Sequence, residues 1–273
     1  AFIGNNALRL GNGRTGFAAA GKLNDVRFYD RILTASEVKA LSTELDRGLV
    51  AYYPLDDAAA TARDYSGSGN DLTASGSPTY VNGRDGLAQG AYNFVAASSQ
   101  YLTRTGFTNL PTASNDRTMC GWKKLTAPTG SWQMGIDYGT YANNNASGLA
   151  VNNQSVPAFG GRSNDLVATL AASYSAWYNH CVIMQSNAMK LYVNGNLEAN
   201  ATMTGLNTGA TALRLGASLN ADAFLNGALD DVRIYNRGLS LAEIRELSGF
   251  FPAHVANLGI WYDASRIGDT GNP

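Results

Sequence analysis

From residue 48 to residue 235 the chain alternates apolar and polar positions in short runs separated by turn residues. A period of two puts successive side chains on opposite faces of a strand. The clearest runs are AYNFVAAS, QYLTRTGF, RTMCGWKKL, SWQMGIDYG, SGLAVNN, WYNHCVIMQS, KLYVNGNLEAN and TALRLGA. GLVAYYP precedes them as a strand that stops at Pro54. Asn194-Gly195 predicts a hairpin, because both residues accept the positive φ of a type I′ turn. Many short strands with frequent turns predict an all-β sandwich of two antiparallel sheets.

The period changes once, across GALDDVRIYNRGLSLAEIREL (Gly227 to Leu247). Leu229, Val232 and Ile234 read as strand, Asn236-Arg237-Gly238 as turn, and Leu241, Ile244 and Leu247 as one helix face. Ser240 with Glu243 three residues on is a capping box. Strict alternation puts Asp230 on the face of Val232 and Ile234, and Asp231 with Arg233 and Tyr235 on the other. The same pattern occurs earlier as GKLNDVRFYDRILTASEVKAL (Gly21 to Leu41), about 206 positions upstream. That spacing is a whole domain. Residues 1–45 therefore read as the closing part of one domain, 46–249 as a complete copy, and 250–273, with LGIWYDAS, as the opening of a third. The short linker predicts that 1–45 packs against the complete copy.

The formal net charge is −1 over 273 residues, with no Lys/Arg run, which argues against nucleic acid and anionic membrane as partners. No apolar run reaches the length of a membrane span. Cys120 and Cys181 sit in strand-like TMCGW and HCVIM; they read either as buried small apolar residues or as a disulfide between paired or facing strands.

The order GLVAYYPLDD, DYSGSGN, W-x-x-H before KLYVNG, LRLG, and GALDDVRIYNRGLSLAEI resembles the laminin G-like, concanavalin A-like jelly-roll domains of tandem-repeat bacterial and phage surface proteins. The resemblance covers residues 48–248. It implies a two-sheet antiparallel jelly-roll sandwich with a short C-terminal helix, rim loops for ligands, secretion to the cell surface or beyond, neighbouring copies of the same domain, and often bound calcium.

Calcium takes six to eight oxygen ligands. The DYSGSGN loop offers Asp64 and Asn70, and in the family such a loop lies against the strand position held here by Asp230. A carboxylate on a core face needs a cation or hydrogen-bond donors. The alternative is that Asp64 caps its own turn and Asp230 accepts backbone N–H groups. The first copy carries Asn24 where the complete copy carries Asp230. For a glycan, the aromatic residues near loops, Trp132, Tyr138 and Tyr141, are the candidates to stack on a sugar face. Trp122 and Trp177, inside apolar strands, read as core, His180 as structural, and Arg233 as a scaffold partner of Asp231.

No run of alternating acids, Gly-x-Ser-x-Gly or His-Glu-x-x-His is present, and the adjacent pair Asp230-Asp231 points to opposite faces under strict alternation, which argues against an enzyme. Three readings remain. The first is a non-catalytic adhesion or recognition module for a glycan or surface protein, favoured by the polar loops Tyr141–Asn145 and Ala217–Asp222. The second is a structural repeat of a surface fibre, sheath or adhesin stalk. The third is an accessory domain of a glycoside hydrolase.

Overall fold

The computed structural model describes residues 26–29, 45–57, 61–249 and 258–262. Strands of the first half are β1 (Val26–Tyr29), β2 (Leu49–Tyr53), β3 (Thr61–Ala62), β4 (Leu72–Ser75), β5 (Thr79–Val81), β6 (Ala91–Phe94), β7 (Tyr101–Thr105), β8 (Arg117–Leu125) and β9 (Gln133–Gly139). Those of the second half are β10 (Ala146–Val151), β11 (Pro157–Gly160), β12 (Leu166–Val167), β13 (Trp177–Gln185), β14 (Ala188–Val193), β15 (Asn196–Thr202), β16 (Ala212–Leu215), β17 (Gly227–Tyr235) and β18 (Leu258–Tyr262). Helix α1 spans Leu241–Leu247.

Residues 42–251 form one compact unit, a sandwich of two antiparallel sheets. The first sheet has the order β12-β11-β10-β9-β16-β7-β4-β3; the second has β15-β14-β13-β8-β17-β6-β5, with β2 also on β17. Ile136, Leu149, Phe159 and Leu213 of the first sheet meet Met119, Val182, Leu191, Val232 and Ile234 of the second in the main core. Each such side chain contributes about 1.5–3 kcal/mol by leaving water. The Asn194-Gly195 turn forms as expected, with φ of 48° and 76° between β14 and β15.

A smaller core lies on the outer face of the second sheet, where Ile244 and Leu247 of α1 cover Cys120, Cys181 and Tyr235. The capping box starts this helix: Ser240 Oγ accepts Glu243 N–H at 3.3 Å, and Ser240 N–H donates to Glu243 Oε2 at 2.7 Å. Arg237 also donates to Glu243. Cys120 and Cys181 face each other directly across β8 and β13 and form a disulfide, with Cα atoms 4.2 Å apart.

Two expectations are corrected here. The register of β17 against β8 slips by one residue between Asp230 and Arg233, and Asp231 has φ 49°. This bulge shifts the phase, so Leu229, Val232 and Ile234 all reach the core. Asp230 instead shares the outer face with its cross-strand partner Trp122, and both carboxylates turn to Arg84. Arg84 N–H donates to Asp230 Oδ2 at 2.9 Å and its guanidinium to Asp231 Oδ2 at 3.2 Å. The adjacent acids therefore do not point to opposite faces. The second correction concerns Trp122 and Trp177, which are half-buried on that outer face. Trp122 lies 4.9 Å from the Arg84 guanidinium and donates to Leu247 O; Trp177 lies 5.2 Å from Lys124 Nζ.

The described strands near the chain ends belong to a second unit, in which β1 pairs antiparallel with β18. The partners are Val26↔Tyr262, Arg27↔Trp261, Phe28↔Ile260 and Tyr29↔Leu258, with a slip before Tyr29. The pairing of β17 with β2 has the same form: Val232↔Tyr53, Arg233↔Tyr52, Ile234↔Ala51 and Tyr235↔Leu49, with a slip before Tyr235. The expected packing of 1–45 on the complete copy, the first copy's helix and the remainder of 250–273 lie outside the described residues.

Candidate functional site

The site is built on the face of the first sheet that points away from the core. β9 meets β10 with a one-residue slip, Leu149 opposite Ile136 and Ala150 opposite Met134, so Gly135 is the extra residue. A Cβ there would lie 2.5 Å from Lys123 Cε, so any other residue would displace the Lys123 side chain. Lys123 crosses from the second sheet and donates to Leu149 O at 3.0 Å. This bulge turns Met134 outward while Ile136 and Tyr138 remain in the core.

Met134 packs against two glycines that face each other on β10 and β11, Gly148 and Gly160. A Cβ at Gly160 would meet Met134 Cε at 3.5 Å and Trp132 Cζ3 at 3.7 Å, so this floor is flat and apolar. The floor belongs to a cleft of about 270 Å³, closed on its polar side by Tyr141, Arg162, Asp165, Ser218 and Asp222. Trp132 is half-buried and Tyr141 is 45% exposed.

The polar wall is a connected network. Asp137, beneath the cleft on β9, is fully buried; its Oδ2 accepts Leu219 N–H at 2.9 Å and the Arg162 guanidinium at 3.2 Å. Burial pushes its carboxyl up to about 7 against the lowering effect of those two donors. Among the described residues neither Asp137 Oδ1 nor Arg162 Nε finds a hydrogen-bond partner. Arg162 lies 3.6 Å from the Tyr141 ring centroid, a cation–π stack. Tyr141 Oη donates to Asp222 Oδ2 at 3.1 Å, as does Asn220 Nδ2 at 3.2 Å, and Ser218 Oγ donates to Asp222 Oδ1. Burial acts to raise the Asp222 carboxyl, but these donors outweigh it and hold it below its ordinary value. Asp165 is exposed, with Oδ1 accepting Gly161 N–H at 2.8 Å.

Of the aromatic candidates, Trp132 and Tyr141 line this cleft. Tyr138 does not: its ring is fully buried, edge-to-face on Phe107, with Oη accepting from buried Arg117 at 3.0 Å. Its position next to a loop suggested the rim, but strand alternation after the bulge turns it inward. Asp222 and Ser218 fall in the polar loop 217–222 noted from sequence. Arg162, Asp165, Met134 and Gly160 were missed; the only sequence signal was the polar turn GRSND. Arg233 pairs with Asp231 at 3.0 Å and stacks on Tyr52 at 4.4 Å, as a scaffold residue would.

The three metal candidates are all engaged in hydrogen bonds. Asp64 Oδ1 accepts Tyr52 N–H at 3.0 Å and Ser66 N–H at 2.9 Å, and Oδ2 accepts Asn70 N–H at 2.9 Å. Asn70 donates to Val50 O and Thr108 O and accepts from Thr108 N–H. Asp230 is held by Arg84. Among the described residues no three acidic, histidine or cysteine side chains converge to hold an ion. As arranged, Asp64, Asn70 and Asp230 serve backbone groups, and this donor set does not fit calcium.

A laminin G family model, described as concanavalin A-like lectin/glucanases superfamily, matches residues 96–245. The chain belongs to this superfamily. Its fold is shared with domain 4 of AbnA, an extracellular arabinanase from Geobacillus stearothermophilus, solved in complex with arabinotriose. That likeness has 20% identity and a TM-score of 0.60 over 73% of this chain and 98% of that one. A Trypanosoma rangeli sialidase (16% identity, TM-score 0.56) covers 74% of this chain, which spans 32% of the sialidase. The botulinum neurotoxin serotype D binding domain (13%, TM-score 0.57) covers 75% of this chain, which spans 52% of that domain. The superfamily joins lectins and glucanases, so membership fixes the sandwich and leaves the chemistry to the site. Among the described residues no helix is long and apolar enough to cross a membrane.

Proposed function

We propose that this chain is a non-catalytic extracellular recognition module whose cleft binds carbohydrate. The observation that carries the reading is the two-sided cleft: an apolar floor of Met134, Gly160 and Trp132 opposite a wall of Arg162, Asp165 and Asp222. A sugar has the matching halves, a C–H face for an aromatic ring and a rim of hydroxyls for charged acceptors and donors. Arabinotriose in the complex with the structurally similar arabinanase domain supports the same ligand class. Two observations support the non-catalytic reading: Asp137, whose raised carboxyl would suit a general acid, is buried beneath Arg162 and does not line the cleft, and Asp222, which does, is held below its ordinary value by the donors on Ser218, Asn220 and Tyr141.

The test is titration of the chain with a panel of oligosaccharides. Trp132→Ala should weaken the tightest interaction about tenfold or more, with the melting profile retained. Equal binding by wild type and variant would remove the cleft from the reading.

A structural role in a fibre, sheath or stalk is the second reading, and one observation favours it. The pairing of β1 with β18 copies that of β17 with β2, slip included, so the closing and opening strands of this module recognise one another by a repeated rule. An accessory domain of a glycoside hydrolase would use the same cleft.

A further inference from the structure

We infer that the cleft selects neutral sugars and rejects anionic ones. This rests on the carbohydrate reading above and specifies its ligand. Two exposed carboxylates, Asp165 and Asp222, stand on the wall, and among the described residues that line it Arg162 is the one cation. Arg162 is engaged: Nη2 meets Asp137 at 3.2 Å from below, its face lies on Tyr141 at 3.6 Å, and its Nε, which has no partner among the described residues, is buried away from the cleft. The donors on Ser218, Asn220 and Tyr141 hold Asp222 as an acceptor. Ionised carboxylates accept only, so they accept hydrogen bonds from sugar hydroxyls. A uronic or sialic acid carboxylate placed there would meet like charge with no unmatched cation to offset it. The volume of about 270 Å³ is below the usual range for drug-sized ligands, so the cleft holds a single sugar ring.

Calorimetric or NMR titration of the full chain tests this, with arabinotriose and methyl galactoside as neutral probes and sialyllactose and glucuronic acid as anionic ones. The expected result is a preference for the neutral probes of about tenfold or more. Asp165→Asn together with Asp222→Asn should narrow that gap to within about threefold. Asp165→Asn alone should narrow it partly; Asp165 is exposed, and an asparagine oxygen can still accept Gly161 N–H, so this variant keeps the fold if the double one does not. Sialyllactose binding as tight as arabinotriose, and lost in Trp132→Ala, would overturn the selectivity while leaving the carbohydrate reading intact. A gap unchanged in Asp165→Asn and the double variant would overturn the role given to the carboxylates. Failure of every probe to bind would overturn the carbohydrate reading and this inference with it.

Discussion

Lys123 is fully buried between the sheets, with Nζ 3.0 Å from Leu149 O and 3.1 Å from His180 Nδ1. Burial drives its pKa down from 10.5 to about 7, and burial together with Lys123 holds His180 well below its ordinary value. The sign follows from linkage. Below about 7 the amine is charged in both states and the burial penalty is complete. Between about 7 and 10.5 the unfolded chain binds the extra proton, so stability rises with pH. Denaturant unfolding from pH 7 to about 9 should show a rising contribution, at most about 1.4 kcal/mol per pH unit, that Lys123→Met removes. An identical pH slope in the variant would show that Lys123 titrates normally. Sequence alone did not find this residue. In RTMCGWKKL the large apolar ring of Trp122 reads as core, which puts Lys123 outside. The structure reverses the two because the outer face of β8 is itself apolar, covered by α1 and the disulfide. With both faces buried, alternation cannot tell which side is which.

At the scale of elements, the strands and the capped helix were legible because each is encoded by neighbours in sequence. The helix boundary follows from Ser240 and Glu243, and the hairpin from Asn194-Gly195. The two bulges were not legible. Each is set by a partner strand: β8 against Asp230 to Arg233, and β10 with Lys123 against Gly135. They matter more than their size suggests, because one moves Asp230 out of the core and the other turns Met134 into the cleft. Between β8 and β13 the disulfide closes a loop across 61 positions and ties the strands beneath α1. Cys120→Ala with Cys181→Ala should lower unfolding stability by about 2–4 kcal/mol, read by denaturant titration. A change within error would mean that the paired strands already restrict the loop in the unfolded ensemble.

At the scale of the whole molecule, the hydrogen bonding of the DYSGSGN loop bears on calcium. Asp64 accepts three backbone N–H groups, and Asp230 accepts the Arg84 N–H while burial raises its carboxyl to about 7, so each is accommodated by protein groups without an ion. The melting midpoint should therefore be the same in calcium and in chelator. A rise in calcium, lost in Asp230→Ala, would show that these residues rearrange to bind it. What the sequence by itself determined was the two-sheet sandwich, its capped helix and two aromatics that line the cleft, Trp132 and Tyr141. These rest on period, turn chemistry and capping, which act over a few residues. The tertiary structure alone decided which face each strand turned to the core, the pairing of Cys120 with Cys181, and the meeting of Arg162, Asp165 and Asp222 over Met134 and Gly160. Those residues come from strands β9 and β11, the turn between β11 and β12 and the loop after β16. Only the register between strands, fixed by packing two buried faces at once, brings them to one place.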